Sequence, residues 1–135
     1  MLSFIVYGVA QPKGSARAFV PKGWTRAVVT AANPKTKGWQ QLVSEAALQA
    51  KDWPTLIEGP LALTVTFYLP RPKSIGKKTV PHTKKPDLDK LVRSVKDGLT
   101  HIVWRDDAQV IEVHAWKCYA GVDERPKAVI RVDRA

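Results

Sequence analysis

The chain has 135 residues, 44% of them hydrophobic and 25% charged, and a single cysteine. That length and composition fit one globular domain, 1–135, with a core of its own, and exclude an intrachain disulfide or a cysteine-rich zinc site. Lys and Arg number 22 against 12 Asp and Glu, a formal net charge of +10; a domain this basic meets a polyanion, most commonly nucleic acid, although surplus lysine also serves solubility alone.

The opening MLSFIVYGVA is apolar but short, with no basic segment before it and no cleavage signature, so it reads as a first strand, Leu2 to Val9. Its apolar residues fall on both faces, which predicts a strand covered on two sides or one facing a partner chain. No apolar run approaches membrane-spanning length. The expected location is the cytoplasm of a bacterium or of a phage-infected cell. Gln-Pro-Lys-Gly-Ser at 11–15 is a turn by composition. Short strand-like pieces follow at Ala18–Val20 and Ala27–Val29, in a region made basic by Lys13, Arg17, Lys22 and Arg26. Trp24 in the loop between them either stacks on an unpaired base or, as such residues more often do, covers the edge of the core.

Asn33-Pro34 signals a helix entry, Asn as N-cap and Pro as first helical residue. The helix runs through Lys51, with Trp39, Leu42, Val43, Ala46, Ala47 and Ala50 on one face. Leu61 to Leu69 alternates apolar and polar residues, the pattern of a half-buried antiparallel strand. From 71 to 85 the chain reads RPKSIGKKTVPHTKK: Arg71, Lys73, Lys77, Lys78, Lys84 and Lys85 without one acid, and three prolines and a glycine against regular structure. This predicts a mobile basic loop that neutralises a phosphate backbone.

A second helix is predicted from Pro86 to Trp104, with Leu88, Leu91, Val92, Val95, Leu99, Ile102 and Val103 at helical spacing and Gly98 a mild defect. Gln109 to Tyr119 is strand-like, with Cys118 expected as a buried, inert thiol. A turn at 121–126 leads to a last strand from Lys127 to Val132. Strands outnumber helices and turns link most of them, so the class is α+β: a largely antiparallel sheet with two main helices packed on it.

The second helix carries acids at both ends, Asp87 and Asp89 at its start and Asp106 and Asp107 after its stop. An isolated Asp-x-Asp at a helix start complements the macrodipole and caps free N–H groups, worth about 0.3–1 kcal/mol per charge. Two such pairs beside a basic loop point further. Clustered carboxylates repel one another and a phosphate backbone alike, unless a cation bridges them. Mg²⁺ takes oxygen ligands and tolerates a few carboxylates completed by water and substrate phosphate. The spacing sets a condition: a straight helix from Asp89 to Trp104 is about 22 Å long at 1.5 Å per residue. The pairs meet only if the helix breaks, most simply near Gly98, or if a second subunit supplies one pair. His82, His101 and His114 share no metal-ligand spacing; His82 lies in the basic loop, within reach of phosphate.

Lys-Pro-Asp-Leu-Asp-Lys-Leu at 85–91, Asp97-Gly98-Leu99-Thr100, and Trp104-Arg105-Asp106-Asp107-Ala108-Gln109-Val110 resemble the RusA family of Holliday junction resolvases in order, spacing and flanking residues, over about a fifth of the chain. Gln-Pro-Lys-Gly near the amino terminus is similar as well. The resemblance implies a small α+β subunit, a homodimer, and Mg²⁺-dependent cleavage of four-way DNA junctions, with Mn²⁺ as a substitute ion. It implies Asp87, Asp89 and Asp107 as the essential carboxylates and Asp106 as a weaker metal ligand. Lys90 stands where many members carry Asn, and Arg93 where many carry Lys; Arg keeps the charge but not the compact ammonium.

The sequence thus reads as a metal-dependent endonuclease of branched DNA in recombination, repair or phage DNA processing. Asp87, Asp89 and Asp107 hold the ion, Arg93 stabilises the scissile phosphate, and Lys13, Arg17, the loop cations and Lys90 grip DNA. Two rivals stand beside it: a non-catalytic basic DNA-binding protein, and a nuclease selective for flaps or forks.

Overall fold

The computed structural model describes residues 1–14, 17–20, 22–26, 28–30 and 33–135, with the side chains of 17–19 and 28–30 outside the description. Strands β1 (Leu2–Tyr7), β4 (Leu61–Leu69), β5 (Val110–Tyr119) and β6 (Lys127–Arg134) form a sheet in the order β1-β6-β4-β5. The pieces expected at 18–20 and 27–29 are strands β2 (Arg17–Phe19) and β3 (Val28–Thr30), an antiparallel pair; Ala27 and the Arg17 side chain lie outside the described residues. Helices α1 (Thr36–Ala50) and α2 (Leu88–Leu99) complete the α+β architecture.

The alternation in β4 sets the layers. Leu61, Leu63, Val65, Phe67 and Leu69 point to one face and are buried, together with Ile130 and Val132 of β6 and Phe4 and Val6 of β1. Both helices share the core on this face, through Trp39, Val43, Ala47, Leu91, Val95 and Leu99. The sheet is largely antiparallel, as expected, but β4 itself is antiparallel only to β6; it runs parallel to β5. The reason is connectivity: a crossover through α2 starts β5 at the same end as β4. The other face of β1 is open, with Ile5 and Tyr7 exposed, so β1 is covered on one side only.

Helix α1 begins two residues after Pro34. Asn33 does not cap it but builds the preceding turn, its Oδ1 accepting the Lys35 N–H at 3.0 Å. Trp39, Val43 and Ala47 are its buried stripe, and Leu42 and Ala50 stay exposed.

Helix α2 is shorter than the Pro86–Trp104 expected. It ends at Leu99 in a tight turn: Thr100 has φ −66° and ψ 133°, His101 has φ 69°, and the Ile102 N–H returns to the Leu99 carbonyl at 3.1 Å. This is type II geometry, whose third position favours Gly or Asn. Val103 and Trp104 leave the helix yet fill the core, both fully buried, with Trp104 Nε1 donating to Thr100 Oγ1 at 3.0 Å. Gly98 is not the break. It is buried inside α2, where a Cβ would stand 3.0 Å from the Gln40 carbonyl and 3.2 Å from Val43 Cβ, and its own carbonyl accepts the Ser44 hydroxyl at 2.6 Å. Gly98 therefore serves the close crossing of the two helices.

Candidate metal and nucleic-acid site at the two ends of α2

The crossover puts the start of α2 beside the carboxyl ends of β4 and β5. Lys117, near the end of β5, donates through Nζ to the carbonyls of Lys84 and Pro86 at 2.6 and 2.9 Å, tying the residues just before Asp87 to the sheet. Asp87 holds the N-cap position, yet its side chain makes no capping hydrogen bond. Its nearest charged neighbour is the Lys90 ammonium at 3.6 Å. Asp89 lies two residues on, in the first turn of α2, and is exposed. Asp87, Lys85 and Lys90 line a recess of about 600 Å³ whose walls include Ala10, Pro12, Leu69 and His82. The His82 ring stacks on Tyr119 with centroids 4.3 Å apart, and its Nδ1 is buried without a partner. Burial first, and the Lys117 charge second, hold the His82 imidazole below its ordinary value of 6.5.

The other acidic pair sits where the chain enters β5. Asp106 Oδ1 accepts the Ala108 N–H at 2.9 Å, while Gln109 Oε1 accepts the N–H groups of Asp106 and Arg105 at 3.1 and 3.0 Å. Gln109 Nε2 then reaches the carbonyls of Ile57 and Gly59, which fixes this capping box to the loop before β4. Asp106 thus has a structural duty. Asp107, next to it, is exposed and enters none of the side-chain hydrogen bonds or ion pairs found among the described residues. The pair lines a separate recess with Asp97, Thr100, His101 and Arg105.

The break in the helix does not bring the pairs together. Twelve residues of α2 still lie between the two ends, about 18 Å at 1.5 Å per residue, and the two recesses share no residue. Exposed carboxylates are donors of the chemistry that Mg²⁺ takes. Among the described residues, however, no three of Asp, Glu, His and Cys stand close enough to hold an ion. One chain offers the donors in two halves.

The cations divide as well. Lys73, Lys77, Lys78, Lys84, Lys85 and Arg93 are exposed. Arg71 is half-buried and spent on structure, donating to the carbonyls of Ala120, Gly76 and Lys78 at 2.8–2.9 Å, which anchors the base of the 71–85 segment. Lys13 pairs with Asp97 at 2.7 Å, and its N–H bonds the Lys90 carbonyl, laying that segment along α2. Trp24 is 61% exposed, so it does not cover the core edge. His114 pairs with Glu112 at 2.6 Å on the open sheet face. Cys118 is half-buried rather than buried, its thiol pushed up by burial. Sequence reasoning missed the roles of Lys117 and Gln109. The Asp-x-x-Gln spacing at 106–109 was a readable capping signal; the Lys117 tether had none.

Among the described residues no helix is long and apolar enough to cross a membrane. Fold and site together define a small, basic α+β protein that presents carboxylates and cations side by side, the groups that phosphodiester chemistry uses. The family described as Endodeoxyribonuclease RusA matches residues 10–133, and the chain belongs to it. It is also 31% identical over 141 residues to "Uncharacterized protein YqaN" of Bacillus subtilis (strain 168), an alignment that covers 97% of this chain and 94% of that protein.

Proposed function

We propose that the chain is a divalent-metal-dependent endonuclease that nicks branched DNA, foremost four-way junctions, as a homodimer in the cytoplasm of a bacterium or a phage-infected cell. The observation that carries this reading is Asp87: an N-cap aspartate that caps nothing, beside a free Asp89 and a run of exposed lysines, in a member of the RusA endodeoxyribonuclease family.

Asp87, Asp89 and Asp107 are the ligands of Mg²⁺, with Mn²⁺ as substitute and Asp106 alongside. When bound, the ion supplies an activated water and offsets the charge that develops on the phosphodiester. Arg93, one helical turn after Asp89, adds a cation toward the scissile phosphate. Lys73, Lys77, Lys78, Lys84, Lys85 and Lys90 neutralise the flanking backbone, and binding is correspondingly salt-sensitive. Trp24, exposed between Lys22 and Arg26, offers a face on which an unpaired base stacks. Because one chain splits its carboxylates, a second copy completes each set. Two-fold symmetry then presents two equivalent sites, as paired nicks across a junction need.

The test is cleavage of a synthetic junction, a flap and a linear duplex by one preparation, with Mg²⁺ and with EDTA. Symmetric, Mg²⁺-dependent nicks in the junction are expected. Preference for the flap would move the reading to a fork- or flap-selective nuclease. Salt-sensitive binding without cutting under any divalent ion would leave only a DNA-binding protein.

A further inference from the structure

We propose that the open face of the four-stranded sheet binds single-stranded DNA, with bases stacked on Trp116, on Tyr68 and on the Arg125 guanidinium that lies over Tyr7. This surface is separate from the acidic ends of α2, and binding to it does not rest on the nuclease function proposed above.

A sheet covered on one side normally turns polar residues to water on the other. Both helices share the core on one face of this sheet, and strand register fixes what the other face presents. Across the order β1-β6-β4-β5, Tyr7, Lys127, Tyr68 and Cys118 form one row, and Ile5, Val129, Thr66 and Trp116 form the next. Trp116 is 55% exposed and Tyr7 45%, Ile5 and Val129 are exposed beside them, and Tyr68 is half-buried. None of these side chains belongs to the core, which is built from the alternate residues of the same strands. A contiguous apolar surface left open in this way marks a place of contact.

Spacing and charge select the occupant. Tyr7 and Tyr68 stand two strands apart, about 10 Å at the usual strand separation, and Trp116 lies one strand over and two residues along from Tyr68, about 8 Å away. Each ring therefore takes its own base. A single strand offers flat unpaired bases at successive positions, whereas a duplex keeps them inside its own stack. Cations are interleaved with the rings. The Arg125 guanidinium lies 4.2 Å from the Tyr7 ring centroid, and the Lys127 ammonium 5.2 Å from that of Tyr68. A guanidinium plane itself stacks on a base, and an ammonium between two rings meets the phosphate that joins their bases.

The acids on this face lie away from the rings. Glu112 and Asp133 share a row two beyond that of Trp116, where Glu112 pairs with His114, and Asp133 with Arg131 and the amino terminus. Glu124 folds over Gly121 into a recess that it shares with Arg71 and Lys73. An apolar protein partner would strip water from Arg125 and Lys127 without neutralising them, whereas a phosphate backbone neutralises both. The family is one of endodeoxyribonucleases, which makes the strand DNA rather than RNA.

The test is binding of a short labelled oligothymidine in EDTA, followed by fluorescence anisotropy. The wild type is expected to bind it, and more tightly than an oligouridine of the same length, since the thymine methyl adds apolar contact; equal or tighter binding of the RNA would overturn the assignment to DNA. Trp116→Ala and Tyr68→Ala are each expected to weaken binding about tenfold, while Trp116→Phe and Tyr68→Phe, which keep a ring, stay within about threefold. Lys127→Ala should lower the slope of log K against log salt by about 0.7, one phosphate on a single strand. Leu48→Ala, exposed on α1, should bind as the wild type does. Alanine variants that bind as well as the wild type would hand the oligonucleotide to the 71–85 lysines and overturn the stacking face. Cys118, half-buried in the row of Tyr68, gives a second readout without substitution: saturating oligothymidine should slow its alkylation severalfold, and an unchanged rate would overturn the site. A wild-type dimer that becomes a monomer in Trp116→Ala would give the face to a second copy instead. A wild type that cuts junctions but ignores the oligothymidine would overturn this site and leave the nuclease reading intact; one that binds through the rings and cuts nothing would do the reverse.

Discussion

The two ends of α2 look alike in sequence, an acidic pair at each, yet the fold uses them differently. Asp106 closes a capping box that fastens the entry of β5 to the loop before β4. Asp87 occupies a capping position without capping, and its carboxylate makes only an exposed 3.6 Å ion pair with Lys90. A capping hydrogen bond accounts for Asp106, whereas Asp87 has only its exposed ion pair with Lys90 and Asp107 enters no side-chain hydrogen bond or ion pair among the described residues. Acids that no capping hydrogen bond holds, placed beside exposed cations on a chain of net charge +10, are the stronger candidates for chemistry.

Substitution within one pair breaks this contrast most sharply. Asp107→Asn is expected to lower junction nicking by about 1000-fold or more, the several kcal/mol that metal-assisted stabilisation of a phosphodiester supplies. Asp106→Asn, which keeps an oxygen for the cap, should fall by about tenfold or less; equal losses would erase the distinction. Next in size is the helix crossing. Gly98→Leu places a side chain where a Cβ alone meets the Gln40 carbonyl at 3.0 Å, and is expected to cost about 3 kcal/mol in urea unfolding.

The cations carry the contrast into binding. Removing Lys77 and Lys78 together should leave the melting temperature unchanged and lower the slope of log K against log salt by about 2, one contact per lysine. Arg71→Ala should do the reverse, destabilising the fold through three orphaned carbonyls with little change in slope. Smaller again, Asp106→Ala should lower stability by about 1 kcal/mol through the lost cap. The smallest effect is expected at His82. Its folded pKa is depressed, so folding favours the neutral ring; that contribution is whole above about pH 6.5 and is lost as pH falls toward the folded value. His82→Phe should therefore melt with less dependence on pH between about 7.5 and 5.5, a difference on the order of a degree.

Much of this was legible in the residues. The alternation of Leu61–Leu69 announced the central strand to the residue, and the resemblance carried by the acidic motif led to the family whose model matches residues 10–133. The end of α2 was not legible. Helical spacing continues through Ile102 and Val103, and the turn that stops the helix places a histidine, not glycine or asparagine, at positive φ. Tertiary packing is what marks the return segment: Val103 and Trp104 are fully buried in it, and the Trp104 indole donates to Thr100 Oγ1. The parallel pairing of β4 and β5 was equally hidden, since strand direction follows from the crossover and not from local pattern. The separation of the two acidic pairs into two recesses was hidden for the same reason: it depends on where α2 stops and how the chain returns to the sheet, which periodicity does not record.

The most direct measurement is Mg²⁺-dependent nicking of a four-way junction by Asp89→Asn, with binding to the same junction followed in EDTA. The account predicts that cutting disappears while the dissociation constant stays near that of the wild type. A variant that still cuts at the wild-type rate would contradict the assignment of Asp89 and, with it, the claim that the exposed carboxylates at the start of α2 are the centre of the chemistry.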